Sequence, residues 1–205
     1  KNIFDDQILN LMDFNCEQRD ALHFFYTLPF SKNKALIETT WISNLENKSY
    51  MNYDSQLENY IKNNLGIKDY KINFTEKGAI PLFYPTNRNK DKINIGSAGG
   101  MTRLSTGYTF LNIQEHSQYI RKNLDNIKAK KPYRIGKKYE FLDNVFLNVL
   151  KSNSEIMPNI FFKMFKGSAN TVIKFLSNKS NLIEDFFIIL KMPKWIFIKA
   201  LLKKD

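Results

Sequence analysis

Two runs, LHFFYTLPF at residues 22–30 and ALIETTWI at 35–42, place aromatic and β-branched residues on either side of the polar stretch SKNK. That pattern predicts a strand, a tight connection and a second strand. With a period of two, Leu36, Glu38, Thr40 and Ile42 take one face of the second strand, and Ala35, Ile37, Thr39 and Trp41 take the other. DSQLENYIKNNL at 54–65 switches to a helical period, with Leu57, Tyr60, Ile61 and Leu65 on one face, Asp54 as N-cap and Gly66 as stop. YKINFT at 70–75 alternates as a strand does, and EKGAIPLF at 76–83 adds a glycine turn and a short extended run that Pro81 sets at an edge or an end. A polar loop, PTNRNKDK at 85–92, leads to the strand-like KINI at 92–95 and then to GSAGGMTRLSTGYTF at 96–110. From Ser105 or Thr106 a helix is expected to about residue 124, with Phe110, Ile113, Ile120 and Leu124 on one face.

Beyond it, AKKPYRIGKK at 129–138 reads as a basic linker broken by Pro132 and Gly136. Helical runs follow over 139–151, 158–167, 168–177 and 180–204, the last interrupted at Pro193. The pattern therefore changes near residue 125, from sheet with interspersed helices to helices alone. The expected class is mixed α+β, with a sheet part over 1–95, a turn and helix over 96–124 and a basic helical part over 125–205.

Charge sharpens this division. Residues 1–120 hold 13 basic and 13 acidic side chains, whereas residues 121–205 hold 18 basic and 7 acidic, so the whole net charge of +11 falls in the second segment. Such a block seeks an anionic partner, nucleic acid or an anionic membrane surface, or forms a solvated lysine-rich face. No RNP-like, zinc-finger or helix-turn-helix pattern supports nucleic acid. Residues 182–204 mix apolar and aromatic residues with Lys191, Lys194, Lys199 and Pro193, which suits an interfacial helix pair on anionic lipid better than a transmembrane span. A helical cap packed on the sheet is the alternative. With 43% hydrophobic residues the 205-residue chain is globular in composition rather than disordered. Cys16 is alone, which rules out an internal disulfide and any cysteine-built zinc site; His23 and His116 read as ordinary sheet or helix-face residues and no metal is expected. No N-terminal signal pattern is visible, and a cytoplasmic setting is the default.

The glycine stretch holds the most suggestive chemistry. Strand, glycine turn and helix start form a general anion-binding arrangement, because backbone N–H groups and a helix N-terminus converge there. Neither GxGxxG nor GxxxxGK[ST] is present. On spacing alone a ligand-free tight turn and a binding loop both remain open.

Four stretches, in order, resemble the C-terminal half of a lycopene cyclase: LMDF at 11–14, FYTLPFSKNKALIETT at 25–40, EKGAIPL at 76–82 and IGSAGGMTRLSTGYTF at 95–110. FLDNVFLNVL at 141–150 and SNLIEDFFIILKMP at 180–193 resemble the same family, so the likeness covers nearly the whole chain. It implies the later part of a Rossmann-type FAD/NAD(P)-binding flavoprotein, comprising an antiparallel or mixed substrate-domain sheet, a late FAD-contact turn and helix, and a helical C-terminal part. The first FAD contact in such proteins is an N-terminal GxGxxG unit, which is expected to precede Lys1; on this reading the chain is a fragment, inactive alone and unable to hold FAD tightly. The resemblance assigns Gly96, Ser97 and Ala98 to the ribityl and pyrophosphate part of FAD, includes Gly99 and Gly100 in the cofactor-binding turn, and gives Ser105, Thr106 and Gly107 to a helix opening toward the flavin ring. Ser97 stands where related flavoproteins often have Asp, and Leu104 where the family often has Pro.

The resemblance also implies a reaction. Cyclisation of lycopene ends is an isomerisation: a proton adds to the terminal double bond, a neighbouring double bond attacks the cation, and loss of a proton leaves the ring. It calls for a carboxylic acid in an apolar pocket and for negative charge or π faces near the cation. Glu38 falls at the family's essential acid, between Leu36 and Ile42. Phe25, Tyr26, Phe30 and Trp41 would form an aromatic wall, reduced FAD would act by charge and position, and NAD(P)H would keep it reduced. The implied partners are lycopene or a related linear carotene, the missing FAD-binding half and the inner face of the cell membrane, with the protein peripheral to it. A related prenyl reductase or monooxygenase, or a basic nucleic-acid-binding module, are the competing readings.

Overall fold

The structure, a computed structural model, describes residues 3–43, 52–84 and 92–202. These divide into two compact units: Lys1–Glu76 with Ser154–Pro158, and Lys77–Asn153 with Asn159–Asp205. The polar loop expected over 85–92 lies, apart from Lys92, outside the described residues, as do the last residues of the C-terminal helical run.

The first unit is built on a three-stranded antiparallel sheet in the order β1 (Asn10–Asp13), β2 (Leu22–Ser31), β3 (Lys34–Ile42). The expected hairpin is β2–β3. Its register runs from Leu22 opposite Ile42 through Tyr26 opposite Glu38 to Pro29 opposite Ala35, with an irregularity before Ser31 pairs with Lys34. Ser31 and Asn33 hydrogen-bond to each other across the turn. β1 pairs with β2 through an irregular register, Asn10 to Thr27 and Asp13 to Phe25.

Helix α1 (Tyr53–Asn59) continues directly into a π-helical turn (Tyr60–Asn64). Its N-cap position is Asn52 rather than Asp54, which lies in the first turn. Gly66 ends the segment as expected: it turns left-handed (φ +66°), and the Ile67 N–H returns to Ile61 O. One sheet face is closed over by this helix. Phe25 stacks on Tyr60 at 4.0 Å, His23 stacks on Trp41 at 3.8 Å, and Gln56 accepts from Trp41 Nε1 and Thr39 Oγ1. The Tyr60 hydroxyl donates to Asp13 at 2.6 Å, tying α1 to β1. Beside it the thiol of Cys16 points at His23 O.

The strand expected at 70–75 and the strand-like run at 92–95 do not form, and the extended run expected within 76–83 joins no sheet. Alternation is present, but Tyr70, Ile72 and Phe74 are all exposed and no ladder partner lies among the described residues. A strand's polar backbone is satisfied by a neighbour, so period two without one leaves extended coil.

The second unit is helical from residue 110 onward. Its helices are α2 (Phe110–Lys122), α3 (Lys137–Ser152), α4 (Met157–Phe165, whose first residues cluster with the other unit), α5 (Ala169–Leu176), α6 (Leu182–Lys191) and α7 (Lys194–Leu202). No strand interrupts residues 137–202, in keeping with the change of pattern near residue 125. Helix α3 is central. Its buried stripe is Tyr139, Asp143, Phe146 and Val149. Phe146 meets Phe161 of α4 and Phe197 of α7, while Tyr139 meets Phe175 of α5. None of these helices is long and apolar enough to cross a membrane.

Both histidines are buried. His23 Nδ1 bonds Glu17 O and Nε2 pairs with Thr39 Oγ1, each at 2.8 Å, so it serves as the packed sheet residue that the sequence suggests. Burial holds the His23 and His116 imidazoles below the usual 6.5. The unfolded chain then binds protons that the folded chain refuses, so this stability is complete above pH 6.5 and declines as pH falls below it. Thermal unfolding followed from pH 8 downward should show the midpoint dropping below about pH 6.5. His23→Gln should flatten that slope in part, and His23→Gln with His116→Gln further; an unchanged slope in the double variant would assign the loss to the carboxylates.

Candidate functional site

The sheet face opposite α1 carries Glu38; Leu22 and Phe24 are buried at one end of it, and Glu38 is exposed. Strand period and register place Leu22, Phe24, Tyr26 and Leu28 of β2 opposite Ile42, Thr40, Glu38 and Leu36 of β3. The face is apolar apart from Glu38, Thr40 and the Tyr26 hydroxyl. Phe24 packs edge-on against Tyr26 at 5.1 Å and against Phe14 at 5.8 Å. Thr40 Oγ1 donates to Glu38 Oε1 at 3.3 Å. Burial, and then the charge of Glu38, push the Tyr26 phenol up to about 12, so it remains a neutral donor at any physiological pH.

The four aromatic residues expected around Glu38 are therefore divided. Tyr26 faces it. Phe25 and Trp41 lie on the opposite face, engaged with Tyr60 and His23 beneath α1. Phe30 sits at the strand irregularity with its side chain exposed. Phe24 and Phe14 are the ring neighbours on the Glu38 side that sequence reading passed over; the period-two rule alone would have selected Phe24. Leu36 and Ile42 are half-buried and Glu38 itself is exposed, so the desolvation expected from those two neighbours is not complete within the described residues.

The glycine stretch, in the second unit, is a sequence of tight turns. Ile95 is extended, Gly96–Gly99 form one turn of 3-10 helix, and Gly100 closes it left-handed (φ +79°). Gly99 is required by the chain's own packing, since a Cβ there would stand 2.7 Å from Asn94 O. A second turn spans Arg103 to Tyr108, with Gly107 left-handed (φ +72°) and its N–H on Arg103 O. Helix α2 begins only at Phe110, so Ser105, Thr106 and Gly107 precede it instead of opening it. The cause is the Arg103–Tyr108 turn, which takes the backbone out of helical conformation for these residues.

What the turn holds most firmly is part of the protein itself. Arg103 is 0% exposed and forms a forked ion pair with Asp143 of α3, which is likewise buried: Nε lies 3.1 and 3.0 Å from the two carboxylate oxygens and Nη2 lies 2.7 Å from Oδ1. The same carboxylate accepts from Leu104 N at 2.9 Å and Ser105 Oγ at 2.7 Å. Nη1 of Arg103 reaches Phe175 O and Asn178 Oδ1, and the guanidinium lies 4.8 Å from the ring centroids of both Tyr139 and Phe175. Asn178 continues the network to Asn112 of α2, which donates to Met101 O. The one sequence signal for this centre was Asp143 standing in the otherwise apolar stripe of α3.

On the other side of the turn, Gly99 and Gly100 border a cleft of 210 Å³ with Tyr84, Tyr133, Arg134, Ile135 and Glu140. The Tyr84 hydroxyl is buried there without a protein partner, and burial with Asp143 and Glu140 raises its pKa. Gly96, Ser97 and Ala98 are half-buried or exposed at the open end of the 3-10 turn, and Thr102 Oγ1 donates to Ser97 Oγ at 3.2 Å.

The sequence pattern of the family described as "Lycopene cyclase protein" matches residues 1–202, and the chain belongs to that family. Comparisons with curated proteins and with solved structures gave no match.

Removing the Asp143 carboxylate strands a buried guanidinium and two other donors, Leu104 N and Ser105 Oγ. Asp143→Ala should cost about 3–5 kcal/mol of unfolding free energy in urea titration, with Asp143→Asn losing less because its one amide oxygen can still accept from part of this donor set. A cost below about 1 kcal/mol, the range of exposed pairs, would show that the site relaxes around the loss.

Proposed function

We propose that the protein takes part in acid-catalysed, non-redox cyclisation of the ends of a linear carotene, lycopene or a close relative, with Glu38 as proton donor. Membership of a family of lycopene cyclases supports the substrate class and the reaction. The observation that carries the assignment of the acid is the placement of Glu38 across from Tyr26 on a sheet face whose accessible neighbours are Leu28, Leu36, Thr40 and Ile42. A polyene lying on that face would meet aliphatic and aromatic surface with one carboxyl in it. The apolar substrate would itself displace water from Glu38, favouring the protonated form.

The chain's own groups then have distinct tasks. The Glu38 carboxyl gives its proton to the terminal double bond. The neighbouring double bond closes on the resulting cation, and the ring forms when the Glu38 carboxylate takes back a proton from an adjacent carbon, so no electrons are gained or lost. The Thr40 hydroxyl orients the carboxylate, and the neutral Tyr26 offers a ring face and a hydroxyl but no basic phenolate. Phe24 braces Tyr26 edge-on. The protons and the cation remain on one apolar face.

An FAD-contact role for the glycine turn is supported by its open end. The first amides of a helical turn have no acceptor within it, and Gly96 at φ +61° offers backbone without a side chain. Gly96, Ser97 and Ala98 are the residues that would hold the cofactor there, with Thr106 and Gly107 on the second turn and Gly100 beside the cleft; Ser105 would not contribute its hydroxyl, which Asp143 holds, nor Gly99 its α-carbon face. When bound, reduced FAD would supply fixed negative charge favourable to a carotene cation.

Expression of the natural protein in lycopene-accumulating cells tests the reading. Cells with the wild-type protein should convert red lycopene to cyclic carotenes, and Glu38→Gln should reduce conversion by about 10²–10⁴-fold while thermal unfolding stays unchanged. Full activity in the glutamine variant would place the acid elsewhere. A folded wild-type protein that cyclises no carotene, but reduces prenyl double bonds, would overturn the reaction class.

A further inference from the structure

Helix α6 is turned the wrong way round for a helix on a water-soluble surface. Its sequence, LIEDFFIILK, is largely apolar, yet the side chains that it buries are Asp185 and Ile188, followed by Met192 just beyond its end. These three recur at spacings of three and four and so form one stripe. The outward surface is Leu182, Ile183, Phe186, Phe187 and Leu190, all exposed, with Leu182 at 75%. The reason lies in Asp185. It accepts from Ser180 Oγ at 2.5 Å and pairs with Lys138 of α3 at 2.6 Å, while Tyr139 bonds Ser180 O. A capping box between Asn181 and Glu184 then fixes the start of the helix. Rolling α6 to hide its phenylalanines would pull the buried Asp185 off its bonds to Ser180 and the part-buried Lys138, so the polar anchor commits the apolar side to the outside.

Helix α7 follows after Met192–Pro193 and behaves similarly. It buries Ala200 and touches Phe146 through Phe197, leaving Trp195 (78% exposed), Ile198 and Leu202 outside. Exposed lysines at 191, 194 and 199 punctuate the two helices.

We infer that the outward faces of α6 and α7 form a docking surface for an anionic lipid bilayer, lying in its headgroup region. Three observations select this occupant. The helices have 10 and 9 residues, too short for the roughly 20 that a span needs, but suited to lying in the plane of an interface. Lysines beside Phe, Trp and Leu pair with anionic headgroups while the rings enter the acyl boundary. The surface also sits within the residues that carry the entire +11 charge, so joining two copies face to face would bring like charges together, whereas an anionic bilayer neutralises them. The inference needs neither Glu38 nor a cofactor and stands apart from the cyclisation reading.

The test is flotation of the full chain with vesicles of phosphatidylcholine alone or with added phosphatidylglycerol, together with sedimentation of the protein alone. The chain should float with the anionic vesicles and not the neutral ones, and release as salt is raised past about 0.15 M. Phe186→Ser with Phe187→Ser, both at exposed positions, should lower partitioning by at least roughly tenfold with the unfolding midpoint retained. Independently, Trp195 in a Trp41→Phe background should be quenched by brominated acyl chains. Equal flotation with neutral vesicles, wild-type binding by the double variant, an unquenched Trp195, or a dimer that the double variant dissolves in the absence of any vesicle binding would each overturn the inference.

Discussion

A fully buried arginine sets the terms for the helical unit. Arg103 brings a permanent charge into an interior from which water is absent, and a charge there is tolerable only if paired and fully hydrogen-bonded. Asp143 supplies the counter-charge, Phe175 O and Asn178 take the other side of the guanidinium, and two rings cover its faces. These partners come from positions 103, 143, 175 and 178, far apart along the chain. Such a pair need not make the fold more stable than well-packed apolar side chains would. It fixes one arrangement of turn, α3 and the end of α5, because any slip leaves charge unsatisfied. The two tight turns on either side of Arg103 inherit their geometry from that constraint, as Leu104 N and Ser105 Oγ are claimed by the same carboxylate.

The parts of the fold that were legible beforehand are those encoded by near neighbours. The β2–β3 hairpin is written in two β-rich runs around a polar connection, and its strand ends agree with the structure to within a residue or so. The helices beyond residue 137 follow from their helical runs and from the interruption at Pro193. What failed depended on partners. YKINFT has the alternation of a strand but no strand beside it, while the four-residue β1, with Asn and Asp at its ends, has little propensity and forms because β2 is there to pair with. The expected start of α2, Ser105 or Thr106, lies four or five residues before Phe110, because nothing local announces that Arg103 will fold this stretch into a turn.

The candidate site divides along the same line. Glu38 and its face could be read from period two once the hairpin was recognised, and so could the separation of Tyr26 from Phe25 and Trp41, although proximity in sequence grouped all three. Which face would be covered could not be read, because that depends on α1 bringing Tyr60 and Gln56 against His23, Phe25 and Trp41. Burial of one face by a helix leaves Glu38 on the other, exposed among the half-buried Tyr26, Leu28, Leu36 and Ile42.

The lone thiol has a practical consequence. Cys16 is half-buried beside Asp13, and burial and then that charge raise its thiol to about 12, so almost none of it is thiolate near neutral pH. Thiol-directed reagents act through the thiolate, and the native protein is thus close to silent toward them. A cysteine introduced at an exposed position can accordingly carry a spin label or fluorophore without first deleting Cys16, which leaves the contacts around His23 and β1 undisturbed while distances or environments are measured elsewhere in the chain.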